Sequence, residues 1–507
     1  MTNNLIGTVT FTNQNTYTGP TVVSAGAKIA GDGVLSGPVT IQPGASIRAG
    51  LGGTGTAADT TNDLTINNNL TLNGGTFTFY INRTNGVTAS KIAGVNTLSL
   101  GCTLNPINNG AALQAGDSFT IFQATNYVGG VTNISYTTAG TAIPLGVGLL
   151  WSTNNLAVNG SLAVAGISVS PAATNLVYGN SVVLSVAAPA AGPVTYQWFD
   201  NATNAIGGGT SSSLTLTTPP VSATGNYTIV VSNPFGSATN VIPVTIAPAP
   251  AVPALASSAN PAGYLASVNV IATLPADATG SVTFTANGNP FSTNGLSGGS
   301  ATSLALNALP RGTNLITVVY AGDANYSAGT NSLAQIVTNH PPVAANRAYP
   351  RYTEMSTVRI AISDLLAGAT DADSDVVTFS GVATSTNGIT LGSSAGYLLY
   401  TNAAAVNDQF TYTLSDGFGG TATGTVTLNA TGTSVFGTGA PVISVTGTTA
   451  SLTYTGIPGL SYSVLRSPDL TSWTVVLTTN APAGGGFNFT DSAAPQPNAF
   501  YRLQFNP

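Results

Sequence analysis

Cysteine is almost missing from this chain. Cys102 stands alone among 507 residues, so no disulfide forms within it. Small secreted domains usually lean on disulfides, and here packing must do that job. One cysteine and one histidine, His340, exclude a zinc site of the usual His/Cys kind. Charge is scarce as well: 5% of residues are charged, against about a quarter in ordinary globular proteins. Ten basic residues face sixteen acids, a net charge of −6. No basic stripe exists to displace counterions from phosphates, which argues against a nucleic-acid partner. Long apolar runs are missing too. The most apolar stretch, Ala139 to Trp151, is broken by Gly140, Pro144, Gly146 and Gly148, so no membrane-spanning segment is expected. The opening Met1-Thr-Asn-Asn-Leu5 has neither a basic nor an apolar signal region. We read the N-terminus as truncated.

What fills the gap is Thr, Asn, Ser, Gly, Ala and Val. Low charge with a positive mean hydropathy is unlike a disordered tail and suits β-strands, where Thr and Val are favoured. The expected fold class is all-β. Val23-Ser-Ala-Gly26-Ala-Lys-Ile29 recurs eighteen residues later as Ile41-Gln-Pro-Gly44-Ala-Ser-Ile47, with a looser copy at Leu72-Asn-Gly-Gly75-Thr-Phe77. Each copy is a strand, a Gly turn and a strand. So small a unit cannot bury its apolar face alone, and copies must stack. Residues 1–165 are therefore expected to form a parallel β-helix (solenoid). A cap over 112–166 is expected to contain longer strands, Ser118–Gln123 and Leu156–Asn159. Asn15-Thr-Tyr17-Thr-Gly19 followed by Thr21-Val-Val23-Ser-Ala-Gly26 resembles the strand repeat of autotransporter passengers. That resemblance implies a coil projecting from a bacterial surface. No run of lipid-facing barrel strands follows.

A string of β-sandwich modules follows. In 166–248, Val182 to Val186 alternates as a strand, Tyr196-Gln-Trp198-Phe199 carries a core Trp, and Gly225-Asn-Tyr227 places a tyrosine corner. This segment resembles immunoglobulin domains, with Val186 and Ile229 where the paired cysteines would stand. Pro248 to Pro253 reads as a stiff linker. Residues 249–338, through Leu309-Pro-Arg311-Gly312 and Tyr320-Ala-Gly322-Asp323-Ala-Asn325-Tyr326, resemble repeated bacterial Ig-like domains. Residues 339–430 carry seven of the sixteen acids: Glu354, Asp364, Asp371, Asp373, Asp375, Asp408 and Asp416. With Phe410-Thr-Tyr412-Thr-Leu414-Ser-Asp416-Gly417 they resemble bacterial cadherin-like domains. Residues 431–507, ending in Phe500-Tyr-Arg-Leu503, resemble fibronectin-III-like modules of exported proteins.

The acids offer the clearest chemistry. Calcium takes six to eight oxygens, and alternate carboxylates in a loop present several to one ion. Asp371, Asp373 and Asp375 have that spacing, with Glu354 and Asp416 as further expected ligands. No Gly follows Asp375 and no Glu stands twelfth, so this is not an EF-hand. A solvated turn, which Asp favours, is the competing reading. Gly295-Leu-Ser297-Gly-Gly299 has the spacing of a nucleophile elbow, followed in order by Asp323 and His340, but Ser300 to Leu306 reads as a strand where a helix is required. In the first 165 residues Asp32, Asp59, Asp63 and Asp117, with Lys28, Arg48, Arg83 and Lys91, are the only material for acid–base work. Tyr17, Tyr80, Tyr127 and Trp151 are candidates for a sugar-stacking face or for packing.

Together these features lead us to expect no enzyme activity. The expected role is an extracellular or cell-surface adhesion or spacing stalk of a bacterium, stiffened by Ca2+. Its partners would be surface proteins or polysaccharides, and its modules monomeric. The runner-up is a non-catalytic carbohydrate-binding region of a larger secreted polysaccharide-degrading protein.

Overall fold

The computed structural model describes residues 2–3, 7–51, 62–84, 86–138, 141–142, 145–188 and 193–506. The described residues are almost all strand or turn, with two short α-helices, Leu156–Asn159 and Ile362–Leu366. None is long and apolar enough to cross a membrane. Two compact units divide the chain. The first is Met1–Val252 with Ala278–Gly280 and Ala321–Gly329; the second is Pro253–Asp277, Ser281–Tyr320 and Thr330–Pro507.

In the first unit, the repeat spacing becomes strand register. Thr21–Val23 pairs in parallel with Val39–Ile41, and that strand with Leu70–Leu72, so Val23, Ile41 and Leu72 line up. In a second sheet, Lys28–Gly31, Ser46–Ala49, Thr76–Asn82 and Thr103–Asn108 also pair in parallel. Ile29, Ile47, Phe77 and Leu104 line up there and are buried. Alternation supplies much of the core: in Val39–Ile41, Ser46–Ala49, Leu70–Leu72 and Thr103–Asn108 every second residue is buried. The turns hold their register through glycine: Gly26, Gly44 and Gly74 take positive φ, at 82°, 77° and 72°. In the third copy the turn is one residue shorter, so Gly74 takes the left-handed place and Gly75 a different one. A Cβ on Gly75 would lie 2.4 Å from Ile41 Cγ2, so glycine there answers to packing.

Residues 118–166 depart from expectation at one point. Ser118–Thr120, Ser161–Gly166 and Leu149–Ser152 make a three-stranded antiparallel sheet, but Leu156–Asn159 is a single helical turn rather than a strand. A four-residue segment has no period to distinguish the two. Gly160 at φ +74° closes the turn as a left-handed cap.

An immunoglobulin-like sandwich follows. Ser168–Ser170, Val182–Ala187 and Ser213–Leu216 form one sheet; Thr174–Val177, Gly236–Ala247, Gly225–Asn233 and Thr195–Phe199 form the other. Trp198 is fully buried among Leu184, Val186, Ile229 and Val231. Aliphatic packing thus stands where a cross-link would be. Tyr227 Oη donates to Ala223 O at 3.2 Å, making the corner. The Pro-rich stretch after it is paired as well as stiff: Ala249–Pro250 runs parallel to Tyr326–Ser327.

The second unit holds three further pairs of sheets. Ala254–Ser257, Val270–Thr273 and Ser300–Thr302 accompany a five-stranded sheet of Ala262–Gly263, Gly329–Thr338, Gly312–Tyr320, Ser281–Ala286 and Asn289–Gly295. Next, Arg347–Arg351, Thr421–Ala430, Asp408–Ser415 and Thr378–Val382 oppose Thr357–Ala361, Tyr397–Thr401 and Gly392–Ser394. Their shared core includes Ile360, Tyr400, Tyr412, Leu414 and Val426. Last, Val442–Thr446, Thr449–Thr455 and Gly486–Asp491 oppose Thr474–Asn480, Ser461–Ser467 and Phe500–Asn506. The Gly/Thr-rich stretch before this pair is anchored: Val435 is fully buried and its carbonyl accepts from Tyr462 Oη at 2.5 Å.

Candidate metal centre in the aspartate loop

The loop that carries Asp371, Asp373 and Asp375 lies between the Ile362–Leu366 helix and the Thr378–Val382 strand. Its bend is made by the first aspartate. Asp371 Oδ1 accepts the backbone N–H of Asp373 at 2.8 Å and that of Asp375 at 3.4 Å, a turn that a short carboxylate side chain suits. Ser374 takes φ +64° to close it. As a result the three carboxylates each present an oxygen within 4.8 Å of the others. Asp373 is only 4% exposed.

Three like charges so close repel one another unless opposite charge is supplied. It comes from Arg311, in the turn between the Ser300–Thr302 and Gly312–Tyr320 strands. Arg311 Nη2 lies 2.5 Å from Asp375 Oδ2 and 3.3 Å from Asp373 Oδ2. Its guanidinium carbon sits 3.7 Å from the Tyr264 ring centroid and 4.1 Å from that of Phe418. His340 adds its backbone N–H to Asp373 Oδ2 at 2.8 Å, and its Nδ1 lies 2.7 Å from Oδ1. Burial pushes the Asp373 pKa up, but the His340 and Arg311 contacts outweigh it and hold the carboxyl below its ordinary value.

Of the other expected ligands, Asp416 is tied to the same region and Glu354 is not. Asn339 Nδ2 donates to Asp416 Oδ2 at 2.6 Å, one residue before His340. Asp416 Oδ1 accepts from Phe418 N at 2.7 Å and Gly420 N at 3.0 Å, which sets the Phe418 ring over Arg311. A Cβ on Gly420 would lie 2.0 Å from Asp416 Oδ2, so a side chain there would displace that carboxylate. Glu354 instead accepts from Thr353 Oγ1 and Val435 N, both at 2.8 Å. It lines an open cleft of ≈ 440 Å³ with Phe436, Arg502 and Phe505.

Arg311, Tyr264 and Phe418 were not legible as site residues. Arg311 is one of only ten bases in the chain, which was the available signal. Nothing in the sequence pairs it with a loop some sixty residues on.

Several of the remaining candidates have structural partners, while Asp32 Oδ1 is buried without one. Ser297 lies in a tight turn bridged to Ser300, followed by the strand Ser300–Thr302. Asp323 accepts from Thr279 N and Oγ1 at 2.8 Å. Arg83 pairs with Asp117 at 3.0 Å and Lys91 with Asp63 at 3.2 Å; Asp59 lies outside the described residues. Tyr80 and Trp151 are buried, Tyr127 Oη accepts from Ala124 N at 3.0 Å, and Tyr17 is exposed. The four rings therefore share no solvent-facing platform.

Comparison with known proteins bears on these same segments. Residues 339–429 match the family model of the bacterial Ig domain, and residues 255–339 that of the bacterial Ig-like domain (group 3). The chain thus carries bacterial Ig-like domains over these residues. No curated protein matches the chain. Among solved structures, the titin I-band fragment I67–I69 is 14% identical, covers 51% of this chain and 96% of that one, and has a TM-score of 0.23. A Ca2+-stabilized adhesin that helps an Antarctic bacterium bind ice is 14% identical, covers 66% of this chain and 97% of that one, and has a TM-score of 0.24. The eight N-terminal Ig domains of Down syndrome cell adhesion molecule are 13% identical, with 72% of this chain and 62% of that one covered and a TM-score of 0.18. This chain therefore spans less than two thirds of that last structure.

Proposed function

We propose that this chain is a non-catalytic, extracellular or surface-exposed bacterial protein that acts as an adhesion or spacing stalk. The observation that carries the reading is the pair of bacterial Ig-domain matches that meet at residue 339. At that boundary Asn339 and His340 are hydrogen-bonded into the second domain. Tandem sandwiches joined without a slack linker suit a spacer. In this proposal residues 1–165 are a parallel β-helix of the autotransporter-passenger type, as the aligned Ile29, Ile47, Phe77 and Leu104 support. Sandwich modules over 166–248, 249–338, 339–430 and 431–507 continue it, the last of fibronectin-III type. Its partners are surface proteins or polysaccharides.

A stiff joint at residue 339 needs a cation among Asp371, Asp373 and Asp375. Calcium is one choice: Asp371 Oδ2 is buried without a hydrogen-bond partner and is free to meet an ion. Arg311 is the other.

Surface labelling of intact bacteria producing the protein tests the main reading. Antibody to the full chain should label intact cells, and beads coated with the full chain should attach to cells or matrices. Labelling only after lysis would overturn it. The cleft beside Glu354, where Arg502 lies 4.4 Å from the Trp473 ring, favours a second reading, a carbohydrate-binding accessory region. A glycan array that the full chain binds and its Arg502→Ala variant does not would select that one.

A further inference from the structure

We infer that Arg311 is the resident cation of the Asp371–Asp375 loop, so that the joint between residues 255–339 and 339–429 is locked without a metal ion. This deepens the stiff-joint part of the proposal above and does not depend on where the protein works.

The oxygen inventory makes the argument. Three aspartates carry six carboxylate oxygens. Asp373 Oδ1 is taken by the His340 ring, and Asp373 Oδ2 by the His340 N–H and Arg311. Asp375 Oδ2 is taken by Arg311, and Asp371 Oδ1 by two backbone N–H groups of its own turn. Only Asp371 Oδ2 and Asp375 Oδ1 accept nothing among the described residues. Calcium takes six to eight oxygens at about 2.3–2.6 Å, and two leave most of its shell to water. An ion drawn to those two oxygens would also meet the guanidinium already bonded to the neighbouring ones, and like charges in a half-buried site repel.

Arg311, by contrast, is built in. Its side chain is 15% exposed, with Tyr264 of its own domain and Phe418 of the next each offering a ring face. Cations are attracted to aromatic faces, and a planar guanidinium stacks where an ammonium cannot. The backbone is shaped around this contact. A Cβ on Gly263, next to Tyr264, would lie 2.4 Å from His340 Cε1, so glycine there leaves room for the His340 ring where it meets Asp373. Arg311 therefore touches both domains, and through Asp373 it shares a carboxylate with His340 at the boundary. Removing it would take the guanidinium from Asp373 Oδ2 and Asp375 Oδ2 and leave the three carboxylates as a latent metal site.

Hydrogen exchange read by mass spectrometry on the full chain tests this. Peptides covering 339–343 and 371–376 are compared in EDTA and in millimolar calcium chloride. For the native chain we expect the same protection in both. For Arg311→Gln we expect exchange about tenfold faster in EDTA, the ratio for losing one ion-paired hydrogen bond. Calcium should restore protection in that variant and fail to do so in Arg311→Gln/Asp371→Asn. Arg311→Lys, which keeps the charge and loses the stacked fork, should fall between. Native-chain protection that rises with calcium, or Arg311→Gln exchange no faster than native, would overturn the inference. The native comparison needs no variant to fold, and neither result alters the surface-labelling test.

Discussion

Tyr400 and Asp408 meet in the core of the 339–429 domain, with the Tyr400 hydroxyl donating to Asp408 Oδ2 at 2.7 Å. The same carboxylate accepts from Ser385 Oγ at 2.5 Å, Thr386 Oγ1 at 2.7 Å, Asn387 N at 3.0 Å and Gln409 N at 2.8 Å. The Arg351 guanidinium, fully buried, lies 5.2 Å from the centroid of the Tyr400 ring. This polar knot orders the turns around 385–387 and 402–408 from inside.

Asp408 makes the stability of this domain acid-sensitive. Burial raises its pKa, but the hydrogen bonds from Ser385, Thr386, Tyr400 and Gln409 overcome that and bring it down to about 2. An unfolded aspartate titrates near 3.9. A folded value below the unfolded one stabilises above pH ~4 and is lost as pH falls from about 4 to about 2. The loss should be about 2 kcal/mol. Urea unfolding at stepped pH should show it, and Asp408→Asn should flatten that step while lowering stability at pH 7 by about 3 kcal/mol.

Tyr227→Phe removes one buried hydroxyl and little else. Its ring is packed in the sandwich core and its Oη bonds to Ala223 O. Thermal unfolding should report a loss of about 1 kcal/mol, with the fold unchanged by circular dichroism.

Asp323 holds the 321–329 turn in place. Its Oδ1 accepts from Asn325 N and Tyr326 N, both at 2.8 Å, while Oδ2 binds Thr279. Burial again opposes, and these bonds bring its pKa to about 2. The turn supports the Ala249–Tyr326 pairing, in which Ala249 N donates to Asn325 O at 2.9 Å. In Asp323→Ala, exchange of the Ala249 amide should accelerate well beyond that of Ile229, which is in the sandwich core.

Cys102 should report unfolding of the first third of the chain. It is fully buried, and burial pushes its thiol pKa up to about 12. The thiolate is the reactive form. Labelling by a disulfide-exchange reagent at pH 8 should be negligible in the folded protein and rise in step with denaturant unfolding monitored by circular dichroism.

Local pattern was legible wherever one face of a strand is buried. The eighteen-residue spacing from Val23 to Ile41 is the register between paired strands, because parallel pairing sets equivalent residues of the two copies side by side. Trp198 and Tyr227 announced the sandwich, since a buried ring and a bonded hydroxyl admit few substitutes. Leu156–Asn159 was misread as strand because four residues carry no period. Acid spacing alone located the Asp371–Asp375 loop.

The sequence by itself thus determined an all-β, charge-poor, disulfide-free chain with bacterial Ig-like segments and one aspartate loop. Its periodicities are short-range and set by which face is wet. Tertiary structure alone decided what faces that loop. Arg311, Tyr264 and Phe418 come from separate turns and His340 from the segment joining the domains, and only the packing of two domains at residue 339 gathers them. Charge pairing acts through space, over a few ångströms, and leaves no period along the chain.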